Sequence, residues 1–211
     1  MNLKLLLWSL PALLLGAVAA VSYTAPADAG GGRARFDFVP GEMTVAITGK
    51  GRNAASYYLP YTLKNPMDDA RTPRLYVEVT TETKKTYGDR TDAKVVAAAA
   101  KDAKAPDMKS TAELRGKDLA AGGTAHGVAN FGNIDPNADE ITVKVYGLWD
   151  PVVRTRQGKV YNERRVLVLQ FRRYGDEFWR PMDPISLLWK DEEVQGEVTE
   201  LYSTLAEKKA K

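Results

Sequence analysis

From residue 35 to residue 180 the chain alternates apolar and polar residues with a period of two. That period sends successive side chains to opposite faces of a pleated strand, so it argues for sheets with one buried face rather than a helical bundle. Met43, Val45 and Ile47 fall on one face, with Thr44 and Thr48 on the other. Tyr57, Leu59, Tyr61 and Leu63 share a face, as do Leu75, Val77 and Val79 opposite Tyr76, Glu78 and Thr80. Ile141, Val143 and Val145 lie opposite Thr142 and Lys144, and Leu167, Leu169 and Phe171 are flanked by Arg165 and Arg173. Pro60 lacks an N–H, which predicts an edge strand or a bulge at that point.

Turn chemistry separates the runs. Asn65-Pro66-Met67-Asp68-Asp69 breaks one strand from the next, Tyr87-Gly88-Asp89 ends another, and residues 132–137 form a loop through Asp135-Pro136. Gln157-Gly158 lies between Val152–Arg156 and Lys159–Glu163. Gly175-Asp176 lies between Phe171–Tyr174 and Glu177–Arg180, the spacing of a two-residue hairpin. Many short antiparallel strands with regular turns predict a two-sheet sandwich.

Two stretches depart from the alternation. Residues 94–104 hold Val95-Val96 and four alanines, which suits either a short helix or an irregular strand. In the C-terminal stretch, Asp183-Pro184 has the form of an N-cap followed by a proline at the first helical position. Val194, Val198, Leu201 and Leu205 then recur at helical spacing, with Glu192, Glu193 and Glu197 early and Lys208, Lys209 and Lys211 late. This predicts a C-terminal helix from about Glu192 to Lys208.

The N-terminus speaks to compartment. Lys4 precedes an apolar run from Leu5 to Val21, and Ala27-Asp28-Ala29 fits a small-residue cleavage site. This reads as a secretory signal peptide over residues 1–29, followed by a flexible leader over 30–34. The rival reading is an uncleaved anchor: as a helix the run spans about 25 Å against roughly 30 Å of hydrocarbon. The predicted organisation continues with a β-sandwich over 35–182 and a helical extension over 183–211. The location expected is exported, periplasmic or extracellular, with membrane attachment only if residues 5–21 are retained.

One order of residues suggests a family. Tyr57 to Leu63 leads through Lys64-Asn65-Pro66 into a polar turn, followed by Leu75-Tyr76-Val77-Glu78-Val79-Thr80 and Tyr87-Gly88-Asp89. Later, Leu119-Ala120-Ala121-Gly122 leads into Gly127-Val128-Ala129-Asn130-Phe131. Over roughly residues 40–148 this resembles the telokin-like immunoglobulin-fold domains of exported bacterial proteins, in which a Leu-x-x-Gly turn leads into a Gly-x-x-x-Phe strand. The long insert from Thr91 to Lys117 departs from that pattern. The resemblance implies an immunoglobulin-like β-sandwich and an envelope or surface setting. It implies no enzymatic activity.

Chemistry is constrained mainly by what is missing. With no cysteine there is no disulfide, thiolate metal site or thiol nucleophile. His126 is the only imidazole, no Gly-x-Ser-x-Gly elbow accompanies it, and it reads as a sheet residue satisfied by hydrogen bonds. Asp135, Asn137 and Asp139 have the i, i+2, i+4 spacing of a hard-cation loop, but the sixth-position glycine and twelfth-position glutamate of an EF-hand are absent. Turn formation accounts for them. No catalytic residue, cofactor or metal is expected. A carboxylate-dependent hydrolase of envelope polymers is the enzymatic alternative, and a membrane-tethered assembly subunit is another.

The stretch from Asp150 to Arg180 carries eight cationic residues against four acids, among Trp149, Trp179 and Trp189. Arg154, Arg156, Arg164, Arg165, Arg172 and Arg173 form the candidate face for an acidic polymer or an envelope protein. The competing reading is a solvated hairpin with tryptophans capping the core. The formal net charge of +3 and the export signal both argue against nucleic acid. The expectation is therefore a non-enzymatic, exported structural or binding module.

Overall fold

The computed structural model describes residues 36–48, 55–135, 137–156, 159–174 and 185–198. Its elements are β1 (Asp37–Pro40), β2 (Thr44–Ile47), β3 (Ala55–Lys64), β4 (Tyr76–Thr81), β5 (Thr86–Gly88), α1 (Ala93–Asp102) and β6 (Lys109–Ser110). There follow α2 (Thr111–Arg115), β7 (Thr124–Gly132), β8 (Glu140–Tyr146), β9 (Val152–Arg156), β10 (Lys159–Arg173) and β11 (Ile185–Val198). The described chain is mainly β, in two mostly antiparallel sheets. The first runs β1-β3-β7-β6, with β2 also paired to β3, and β6 parallel to β7. The second runs β11-β10-β8-β4-β5, with β9 also paired to β10.

The alternating residues meet between the sheets. Leu59, Leu63, Val77, Val79, Ile141, Val143, Val145, Leu169 and Phe171 are completely buried, and Tyr57, Tyr61 and Leu167 nearly so. They join Phe38, Phe131 and Ile134 in one core. Burying a side chain of this size contributes about 1.5–3 kcal/mol, so this interior dominates the stability of the sandwich.

Pro60 shows how a missing donor is handled. β3 is not an edge strand: β7 lies on one side and β1 and β2 on the other. The outer neighbour is broken instead. β1 ends at Pro40 and β2 begins at Thr44, and Gly41 N donates to Pro60 O at 2.8 Å. A Cβ on Gly41 would lie 3.0 Å from both Pro60 Cγ and Pro60 O, so a glycine fits this close crossing. A register shift in the β3–β7 pairing falls at Tyr57/Tyr58. The break also changes the expected facing of Met43, Val45 and Ile47. Met43 is buried and Val45 packs on the core, but Ile47 is 69% exposed, while Ala46 is buried against the outer side.

The two segments that carried the family resemblance are tied together. Asn65 is fully buried, and its Nδ2 donates to the carbonyls of Asp69, Leu119 and Ala120 at 2.8–3.0 Å. Its Oδ1 accepts from Met67 N, so one amide clamps the turn after β3 to the turn before β7. Gly122 completes the second turn at φ +63°, a conformation that favours glycine. Gly127 leaves room for the Tyr61 ring, which a Cβ there would meet at 2.3 Å.

The insert from Thr91 to Lys117 holds both helices. Asp92 is extended and its carboxylate accepts from Lys94 N at 2.8 Å, an N-cap that starts α1. Alanine is the best helix former, which resolves this stretch toward helix. Val95 and Ala99, one turn apart, pack on Ala46, Tyr58, Ala105, Met108 and Val128. α1 therefore covers the outer face of the first sheet. Ser110 and Glu113 form a reciprocal capping box at α2.

The C-terminal expectation is corrected over part of its length. Residues 192–198 belong to β11, which pairs antiparallel with residues 161–173 of β10. A spacing of four, as in Val194 and Val198, puts residues on one face of a strand as well as of a helix, so it does not discriminate. The long β10 edge supplies backbone partners that decide the matter. Residues 199–211, with Leu201 and Leu205, lie outside the described residues, as do Asp183-Pro184. So do the predicted signal segment 1–29, the leader 30–34 and the Glu177–Arg180 run of the expected two-residue hairpin. Over its last residues β10 pairs instead with β11, Arg173 opposite Ile185. The β9–β10 hairpin falls where Gln157-Gly158 predicts it, with Arg156 opposite Lys159.

Candidate ligand-binding cleft

Tyr76 follows fully buried Leu75 and therefore points away from the core; Tyr146 follows fully buried Val145 and does the same. The two tyrosines are direct cross-strand partners in the β4–β8 pairing. Their ring centroids are 5.7 Å apart with planes tilted by 44°. Tyr146 Oη donates to Glu78 Oε1 at 2.7 Å, which fixes that ring along β4. Beyond β8 the chain turns at Gly147, φ +82°, where a Cβ would overlap Arg74 O at 2.3 Å. That tight turn delivers Trp149 beside the tyrosines, and the Arg165 guanidinium lies 5.7 Å from its ring centroid. Arg74, Tyr76, Glu78, Tyr146, Trp149 and Arg165, with Gly147 and Pro151, line a cleft of about 560 Å³. Small-ligand sites of roughly 300–1,000 Å³ lined by aromatic groups and a few polar ones are typical of binding pockets.

The arginines named from the sequence are not gathered onto one face. Arg154 and Arg156 lie on β9, and Arg164 on β10. Arg165 belongs to the aromatic cleft. Arg172 is exposed and pairs with Glu140, Nη2 to Oε1 at 3.2 Å. Arg173 is only 4% exposed, its guanidinium 5.1 Å from the Tyr57 ring centroid, and its N–H donates to Asp139 O. Strand parity explains the split: Arg172 and Arg173 are adjacent and so point to opposite sides of β10. Trp189 lies on β11 opposite Gln170, and Trp179 lies outside the described residues.

The acidic loop does turn chemistry. Asp135 is buried; its carboxylate accepts from Lys85 Nζ at 2.7 Å, Thr83 Oγ1 at 2.9 Å and Asn137 N at 3.0 Å. Lys85 above all, then the Asn137 N–H, hold its pKa down at about 2. Asp139 contributes its backbone N–H to Glu82 rather than joining Asp135. Among the described residues no group of three or more acidic, histidine or cysteine side chains is arranged to hold a metal ion.

A second cleft, of about 360 Å³, flanks the C-terminal end of α1 and includes Glu42, Tyr58, Asp102, Met108 and His126. Tyr58 Oη donates to Asp102 Oδ2 at 2.6 Å; burial and this carboxylate both push the phenol above its ordinary pKa. His126 Nδ1, on β7, lies 3.3 Å from Thr62 Oγ1, its cross-strand partner on β3, as a satisfied sheet histidine would. Deeper, burial raises the pKa of Asp89 even though Asn130 N donates to it at 2.8 Å.

The sequence reading missed the tyrosine pair. Its signal was an aromatic on the face assigned to polar residues, Tyr76 beside Glu78 and Thr80, repeated one residue past Val145. Comparison of the chain with protein-family models, with curated proteins and with solved structures returns no match. Among the described residues no helix is long and apolar enough to cross a membrane.

Proposed function

We propose that the chain is an exported, non-enzymatic β-sandwich of immunoglobulin-like build that acts as a binding module in the cell envelope, taking an acidic polymer or an acidic protein surface. The observation that carries this is the cleft of Tyr76, Tyr146 and Trp149, with Arg74 and Arg165 at its rim. Among its described lining residues two guanidiniums stand against one carboxylate, a balance that favours an anionic partner. The signal-like N-terminus supplies the envelope setting. Arg172, paired with Glu140, and buried Arg173 lie outside the cleft, and Arg165 is the one of the six arginines that the described lining includes.

Retention of the full chain on immobilised dextran sulfate, against neutral dextran, tests the reading. The double variant Arg74→Gln/Arg165→Gln should elute at clearly lower salt, whereas Arg172→Gln should elute with the wild type. Equal retention of all three would remove the cleft from any binding role.

A further inference from the structure

We infer that the ligand of this cleft is an acidic polysaccharide of the uronate kind, one sugar ring lying against the Tyr76–Tyr146 pair and its carboxylate on Arg74 and Arg165. The inference rests on the binding-module reading and names its ligand class. Three observations carry it.

The tyrosines form an open trough. Their planes are tilted by 44°, and Tyr76 remains 44% exposed, so part of that side chain is open to a ligand. The face of an aromatic ring is the negative end of its quadrupole. It attracts the C–H bonds of a sugar, which the attached oxygens polarise positively, and it repels a carboxylate laid upon it. A hydroxylated ring therefore fits the trough where an acidic side chain does not.

The polar groups of the rim have both signs. Glu78 can only accept hydrogen bonds when ionised, and Arg74 and Arg165 can only donate. A ligand carrying hydroxyls beside a carboxylate satisfies both kinds, since a hydroxyl donates and accepts. Arginine's planar fork also matches a carboxylate with two parallel hydrogen bonds, and the contact with Trp149 holds the Arg165 guanidinium beside the trough.

The third observation is size. A cleft of about 560 Å³ holds more than one sugar ring, so an oligosaccharide is the fitting probe.

Isothermal titration of the full chain with trigalacturonate, with neutral maltotriose and with hexaglutamate tests the assignment. Trigalacturonate should bind, and maltotriose should bind at least about tenfold more weakly. Tyr76→Ala should weaken trigalacturonate about tenfold or more, because the stacking face is lost. Arg165→Gln should erase most of the preference over maltotriose. Tyr174→Ala, an exposed tyrosine outside the cleft, should change nothing, and the thermal melt of each variant shows that it is folded. Failure of trigalacturonate to bind overturns the inference. Hexaglutamate binding as tightly as trigalacturonate, and weakened by the same substitutions, overturns the sugar assignment while the cleft stands as a binding site. Trigalacturonate binding that is indifferent to both Tyr76→Ala and Arg165→Gln overturns the inference and the cleft reading together.

Discussion

The outer faces of the two sheets are treated differently. On the first sheet, Tyr58 and Val128 point outward and α1 closes over them with Val95 and Ala99, leaving Tyr58 1% exposed. On the second, Tyr76 and Tyr146 point outward and Tyr76 stays 44% exposed. Both faces carry a tyrosine with its hydroxyl near an acid: Tyr58 bonds Asp102, and Tyr146 bonds Glu78. A tyrosine on an outer face is thus a packing residue where a helix covers it and stays open to solvent where none of the described elements does. The insert from Thr91 to Lys117, which departs from the resembled family, is what makes the difference.

Breaking the lid should have the largest effect. Val95→Asp puts a carboxylate into a fully buried site against Tyr58 and Val128, and should cost about 4 kcal/mol, enough to unfold a marginal domain. Urea denaturation measures it, and a loss under 1 kcal/mol would show that α1 does not seal this face. Gly127→Ala attacks the same sheet from beneath, where the new Cβ overlaps the Tyr61 ring at 2.3 Å. That ring is stacked on Phe38 at 4.6 Å and its hydroxyl bonds Thr111, so it cannot move without breaking contacts. Overpacking of this kind costs about 3 kcal/mol. If the variant keeps the wild-type melting temperature, Tyr61 is free to shift and the sheet is looser than its packing implies.

Among the described residues no helix lies over the tyrosines of the second sheet, and part of its hold comes from the Asp135 turn. Asp135→Asn keeps the shape and removes the charge that accepts from Lys85, Thr83 and Asn137, with an expected cost of about 2 kcal/mol at neutral pH. Because the native pKa is about 2 and an unfolded aspartate titrates near 3.9, the native state binds fewer protons between them. The stability due to Asp135 is therefore full above about pH 5 and lost as pH falls toward 2. Asp89 runs the other way, since burial raises its pKa: its contribution is present below the unfolded value and lost as pH rises through the native one. Melts of wild type and Asp135→Asn from pH 2 to pH 6 should converge at the acid end. A gap that stays constant with pH would mean the carboxylate's charge is not what holds the turn.

The strand interiors were legible because burial on one face of a sheet leaves a period-two record, and Leu75, Val77, Val79, Ile141, Val143 and Val145 kept it without exception. The β9–β10 pairing was legible because its partners, such as Arg156 and Lys159, are close in sequence. Pairing partners were not, since they depend on residues far apart: nothing near Pro60 says that β1 and β2 break so that β3 can remain interior. Residues 192–198 misled because Val194 and Val198 satisfy both periods, and only the β10 edge chooses between them. The candidate site was hidden for the same reason. Tyr76 and Tyr146 are 70 residues apart in sequence, and only the β4–β8 register makes them neighbours. Of the six arginines, composition alone could not separate Arg165 in the cleft from its buried relative Arg173.

The smallest stability effect is the sharpest test of the contrast between the two faces. Tyr76 is 44% exposed and its partner Tyr146 is held independently by Glu78, so Tyr76→Ala removes much less buried area than Tyr58→Ala. The stability should fall by about 1 kcal/mol or less, near the range usual for surface changes. Tyr58→Ala, on the covered face, should cost about 3 kcal/mol through the cavity it leaves beneath α1. The same residue type on the outer face of two sheets of one sandwich would then differ severalfold in structural worth. If Tyr76→Ala were as damaging as Tyr58→Ala, the tyrosine pair would belong to the fold, and a residue needed for packing would be a poor candidate for a platform that a ligand must reach.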